Sequence, residues 1–82
     1  METLKREQIK TSQKFINPGR VEFWKEKISK GEAVRVRVHV SGGTYYVLDG
    51  NHRLKAYDML NIKDIPVNIL QGKELTKYLF HR

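Results

Sequence analysis

The sequence predicts one small domain, residues 1–82, that combines three or four β-strands with two or three helices around a single core. Three observations carry this expectation. Val34, Val36, Val38 and Val40 alternate strictly with Arg35, Arg37 and His39, the period of a strand with one apolar and one basic face. Asn17-Pro18 opens a helical pattern that ends at Gly31. A second apolar run, Tyr45-Tyr46-Val47-Leu48, gives way over Asp49 to Arg53 to a helix ending near Leu60, which makes a strand-to-helix corner.

In chain order, Leu4 to Lys10 alternates weakly around Ile9 and reads as one short edge strand. Thr11 to Lys14 is a polar connector. Asn17 then supplies a cap and Pro18 takes the first helical position, where its missing amide costs nothing. The helix runs from Pro18 to about Lys30, with Gly31 just past its end. Val21, Trp24 and Ile28 form its apolar stripe, and Glu26 and Lys30 are spaced for an i,i+4 ion pair. The valine strand occupies Ala33 to Ser41; Gly42-Gly43 turns the chain, and Thr44 to Leu48 returns as its hairpin partner. Beyond the corner helix, Asn61 to Asp64 connects to a strand in which Ile65, Val67 and Ile69 alternate. Pro66 cannot donate to a ladder, which predicts a strand start or an edge there. After Gln71-Gly72, Lys73 to Arg82 reads as a closing helix with Leu75, Tyr78 and Leu79 on one face.

Composition excludes several chemistries. Without cysteine there is no disulfide, thiolate nucleophile or cysteine-based zinc site, and a short chain lacking such staples is expected in the cytoplasm. No apolar run approaches membrane-spanning length, and the charged start, Met1 to Arg6, is not followed by a signal-peptide core, so no membrane partner is expected. His39, His52 and His81 are scattered, so the protein alone offers no metal site. Ser12, Ser29 and Ser41 lie in no nucleophile-elbow context. The 16 Lys and Arg against 9 Asp and Glu give a net charge of +7, which favours phosphate-bearing partners, nucleotide or nucleic acid alike.

The corner is where such a phosphate fits. The first turn of a helix leaves amide groups without intrahelical partners at the positive end of the macrodipole. Gly50 lets the backbone come close, and His52 and Arg53 add donors. Arg53, Ala56, Tyr57 and Leu60 share one helical face, which turns Arg53 inward. A guanidinium against a core needs an anionic partner, and that partner is either Asp49 or a guest from outside. Asp49 is alternatively a helix cap. Asp49 and His52, three residues apart, are the candidate acid–base pair. Magnesium held through nucleotide phosphates would have Asp49 as a supporting carboxylate. The outward row of Arg35, Arg37 and His39 is a candidate nucleic-acid contact, with Arg35 and Arg37 its main cations. If helices cover that face, these cations must find acids, for which Glu22 and Glu26 are candidates.

These residues, in this order, resemble the ParB/sulfiredoxin superfamily. Sulfiredoxins carry Gly-Cys-His-Arg followed by an Ala-Ala-Tyr-like helix; here the run is Gly50-Asn51-His52-Arg53, then Lys55-Ala56-Tyr57. Partition-protein N-terminal domains carry Gly-Glu-Arg-Arg at that place. The Asn17-Pro18 helix start, the valine strand, the Gly-containing hairpin, Tyr45-Tyr46 and Ile65-Pro66 are similar too, so the likeness covers most of the chain. It implies an α+β domain with a small mixed sheet of about four strands and two to three helices, whose corner binds the phosphates of ATP, ADP or CTP. By position it implies that Gly50, Asn51, His52 and Arg53 surround those phosphates. Arg20 stands where a sulfiredoxin lysine helps hold the nucleotide, and Lys10 at a basic active-site position. Phe23 and Lys27 replace the polar positions that follow on that helix.

The implied activities differ in how well they carry over. Asn51 occupies the place of the sulfiredoxin nucleophile, so the cysteine-dependent reductase reaction is excluded. Free-serine kinases have an Asp-Gly-His-His/Thr-Arg motif, matched by Asp49, Gly50, His52 and Arg53, but their catalytic glutamate falls in Thr11 to Lys14, which has no acid. A kinase would have to recruit Glu22 or Glu26. The leading expectation is a nucleotide-phosphate-binding domain of this type, with NTP hydrolysis or phosphoryl transfer as the activity it could carry. The competing one is a DNA-binding module, a partner for another DNA-bound protein, or a ParB-like nuclease.

Overall fold

The computed structural model describes residues 2–11 and 15–80. The elements are β1 (Glu2–Lys5), a 3-10 turn (Arg6–Gln8), β2 (Ile9–Lys10), α1 (Pro18–Ser29), β3 (Val36–Ser41), β4 (Thr44–Asp49), α2 (Asn51–Met59), β5 (Asp64–Ile69) and α3 (Gly72–Phe80). The strands form one sheet in the order β1-β5-β3-β4-β2. β3 and β4 are the antiparallel hairpin, β5 runs parallel to β3, β1 antiparallel to β5, and β2 parallel to β4. The architecture is α+β with a mixed sheet, as expected.

The fifth strand comes from a split. The 3-10 turn breaks the stretch read as a single edge strand from Leu4 to Lys10 and sends its two halves to opposite edges of the sheet. Arg6 pins the crossing. Its backbone amide donates to the Lys63 carbonyl at 2.7 Å, and its guanidinium donates to Asp58 Oδ1 at 2.6 Å, to Asp58 Oδ2 at 3.2 Å and to the Ile9 carbonyl at 2.8 Å. Asp58 and Lys63 lie more than fifty positions from Arg6 in the chain, so local periodicity could not reveal them.

One face of the sheet carries the core. Val34, Val36 and Val38 lie with Ile65 and Val67 of β5, and Ile9 of β2, against Val21 and Ile28 of α1 and Leu54, Ala56 and Tyr57 of α2. Val40 was expected to continue the row, yet it is 39% exposed. It sits next to the Gly42-Gly43 turn, beyond the valines that the helices cover. Pro66 is also a correction, because β5 lies between β1 and β3 rather than at an edge. The position is tolerated because the ladder to β3 begins one residue later, at Val67.

α1 follows expectation, with Val21 and Ile28 buried, Trp24 half-buried, and Lys30 Nζ 3.0 Å from Glu26 Oε1. α3 lies on the opposite, basic face: the Tyr78 hydroxyl donates to the Leu48 carbonyl at 3.1 Å and its ring lies 5.9 Å from the Arg37 guanidinium. Leu75 and Tyr78 are half-buried, but Leu79, expected beside them, is 51% exposed, and α3 buries no residue fully. The far end of this helix, expected to reach Arg82, lies outside the described residues. Among the described residues no helix is long and apolar enough to cross a membrane.

Candidate functional site

β4 delivers the chain to the corner and Gly50 turns it into α2. The turn needs φ 104°, ψ 27°, a left-handed conformation in which an L side chain is strained. Gly50 also lies close under β3, since a Cβ there would stand 3.4 Å from Val36 Cα and 3.6 Å from Arg53 Cδ. Gly50, not Asp49, is the N-cap, and no side chain accepts a hydrogen bond there. The Leu54 amide closes the first helical turn on the Gly50 carbonyl at 2.9 Å, so the amides of Asn51, His52 and Arg53 precede the helical ladder.

A cleft of about 300 Å³ opens at this turn, lined by Leu48, Asp49, Gly50, Asn51, His52 and Arg53 from the corner and by Phe15, Arg20 and Trp24 from and before α1. The first turns of two helices therefore meet. His52 Nε2 accepts the Asn17 amide at 3.0 Å, which ties the two starts together. With Nε2 used as an acceptor, the neutral ring carries its proton on Nδ1 and presents a donor. Asn51 Oδ1 accepts the Thr11 hydroxyl, which leaves its NH2 group to donate elsewhere.

Arg53 points inward, as the helical register predicts. Its Nη1 donates to the Arg35 carbonyl at 2.9 Å, and its guanidinium carbon lies 4.3 Å from the Trp24 ring centre. Neither contact neutralises the charge. Among the described residues, the ion pairs of the structure use other cations, and Asp49 lies 3.8 Å from Arg37 rather than against Arg53. Asp49 keeps 54% of its side-chain surface.

Tyr57, one helical turn beyond Arg53, anchors the segment that leads into β3. Its hydroxyl donates to the Val34 carbonyl at 2.7 Å and accepts the Val34 amide at 3.0 Å. Val34 thus makes both of its backbone bonds to one side chain, and the next residue supplies the carbonyl that orients Arg53. Burial pushes the Tyr57 phenol above its ordinary pKa, although the Val34 backbone contact and the nearby Arg53 charge pull the other way.

The expected residues do not all come together. Arg20, Asp49, Gly50, Asn51, His52 and Arg53 line one cleft. Lys10 does not line it; it lies on β2, in register with Tyr46. Arg35 donates to Asn68 Oδ1 at 3.2 Å, while Arg37 has Asp49 and the Tyr78 ring as neighbours. Glu22 and Glu26, proposed as partners for these arginines, pair instead with Lys25 and Lys30 on α1. Sequence reasoning placed Trp24 in the core and did not mark it as the surface carrying Arg53. It assigned no role to Phe15, whose ring is 75% exposed at the cleft lip. An aromatic beside a polar connector was the available signal. Among the described residues no three His, Cys, Asp or Glu side chains group as metal ligands.

No protein-family model matches the sequence, and no curated protein matches it significantly. Solved structures do. Sulfiredoxin from Arabidopsis thaliana superposes with a TM-score of 0.77 at 26% identity, covering 99% of this chain and 96% of that one. A free serine kinase in complex with AMP matches with a TM-score of 0.71 at 18% identity, over 85% of this chain and 30% of that chain. The C-terminally truncated chromosome-partitioning protein ParB from Caulobacter crescentus, complexed with CTP-γ-S, matches with a TM-score of 0.70 at 17% identity, over 99% of this chain and 53% of that one. The protein therefore has the ParB/sulfiredoxin-like fold. It spans nearly the whole of the sulfiredoxin chain but only part of the kinase and ParB chains.

Proposed function

We propose that the β4–α2 corner binds the phosphates of a nucleotide of the ATP, ADP or CTP type. The observation that carries this is Arg53: an inward guanidinium at an uncapped helix start, oriented by a carbonyl and a tryptophan and paired with no carboxylate among the described residues. An incoming phosphate supplies the missing negative charge, with the Asn51 to Arg53 amides as further donors. Asn51 contributes its NH2 group, His52 its Nδ1–H, and Arg20 a second cation from across the cleft. Lys10 joins only by reaching round from β2. The fold supports this reading, since it is shared with proteins whose structures hold AMP and CTP-γ-S.

Hydrolysis or phosphoryl transfer at this site would rest on Asp49. Its carboxylate is accessible and lines the cleft, so it is the group to take a proton from an attacking water or hydroxyl. His52 acts as a donor beside it, because its Nε2 lone pair is already engaged by Asn17. A single carboxylate at the cleft fits a magnesium ion bound mainly through phosphate oxygens, for which charge neutralisation is the chemistry supplied.

Titration calorimetry of the chain with ATP, ADP, CTP and GTP, each with and without magnesium, tests the reading. At least one nucleotide is expected to bind, and inorganic tripolyphosphate to compete with it. Absence of heat with all four, in both conditions, would remove the proposal.

A further inference from the structure

The sheet face turned away from α1 and α2 carries a feature that the corner does not use. Lys10, Tyr46 and His39 are register partners across β2, β4 and β3. Such partners project to the same side of a sheet, and here it is the outer side, because their chain neighbours Ile9 and Val38 are buried in the core. The His39 and Tyr46 rings stack with centroids 5.6 Å apart and planes 30° apart, and Tyr46 keeps 39% of its surface. The next register pair on this face, Ser41 with Thr44, is uncharged. Arg37 on β3 and Arg35 just before it continue the row at two-residue steps, roughly 6.6 Å each, with the Tyr78 ring of α3 beside Arg37. Asp49 lies 3.8 Å from Arg37 and partly offsets it, while Arg35 donates only to the neutral Asn68 side chain.

We propose that this outer face is a stacking platform for single-stranded nucleic acid. A base lies on the Tyr46–His39 pair, and Lys10, Arg35 and Arg37 neutralise the flanking phosphates. The ring pair decides the class of partner. Unpaired bases expose a π-face to an aromatic side chain, whereas a duplex hides those faces, so the stacked Tyr46–His39 pair favours a single strand. An acidic peptide would use the cations and gain nothing from the stacked rings. The net charge of +7 provides the long-range attraction. The platform is separate from the phosphate corner and stands or falls without it.

Fluorescence anisotropy of the full chain with a labelled twelve-nucleotide oligothymidylate, the matching duplex and a polyglutamate control tests this. Single strand is expected to bind best, with a log–log salt slope of about −2 if three phosphates are neutralised. Tyr46→Ala should weaken it roughly tenfold, Tyr46→Phe should keep it, Lys10→Glu should weaken it and flatten the salt slope, and Lys30→Ala, at the end of α1 on the other face of the sheet, should leave it unchanged. Circular dichroism melting of each variant checks that the fold is intact. Duplex or polyglutamate binding as tight as single strand, a Tyr46→Ala variant that binds like the parent, or no binding of the oligonucleotide would overturn the proposal.

Discussion

The two helices that meet at the cleft begin in opposite ways. α1 is closed on itself: Asn17 Oδ1 accepts the Gly19 amide at 2.9 Å and the Arg20 amide at 3.3 Å, and Pro18 fills the first position with a residue that has no amide to satisfy. α2 is left open. Its cap is Gly50, which has no side chain, although Asp49 precedes it and Asn51 follows. Asp49 ends β4 beside Arg37, and Asn51 turns its oxygen to Thr11, so two residues able to cap are spent on other contacts. A helix start that forgoes a few tenths of a kcal/mol of capping, while an arginine is held over it without an acid among the described residues, is the feature on which the proposed anion site rests.

The largest break in this contrast is expected from Arg53→Ala. A charge-assisted contact of roughly 1.5–3 kcal/mol corresponds to about a 10- to 100-fold loss of nucleotide affinity, read by calorimetry against tripolyphosphate and nucleotide alike. Tyr57→Phe is next, because it strips the Val34 amide and carbonyl of their shared partner inside the core and should cost about 1–3 kcal/mol in urea unfolding. It also carries a pH signature. The folded phenol titrates above the ordinary value of about 10, so its contribution is complete below that pH and is lost as pH rises through the higher folded value. The parent should therefore lose stability above about pH 10 more steeply than Tyr57→Phe does.

Gly50→Ala should follow, at roughly 1–2 kcal/mol of backbone strain, with weaker nucleotide binding because relieving the positive φ moves the turn that presents the Asn51 to Arg53 amides. Asn17→Ala sharpens the contrast most cleanly. It should cost about 1 kcal/mol of stability through the lost α1 cap and leave nucleotide affinity unchanged, since the Asn17 contact to His52 is made by the backbone. If Asn17→Ala weakened binding as much as Arg53→Ala, the division between a structural start and a binding start would collapse.

Where local rules suffice, the sequence was legible. The α1 cap, the Glu26–Lys30 pair, the hairpin at Gly42-Gly43 and the inward turn of Arg53 depend on residues within a few positions of one another. The errors arose where partners come from far along the chain. The two halves of the first strand part because β4 and β5 offer separate edges, and Val40 is exposed because the helices do not reach it.

By itself the sequence determined that a glycine-led helix would follow a strand and turn one guanidinium toward the interior, because helical period and backbone preference act locally. Only the tertiary structure decided what that guanidinium would meet. The Arg35 carbonyl lies 18 residues away in the chain and Trp24 comes from α1, so neither spacing nor composition could say whether an acid or an open cleft would stand before it.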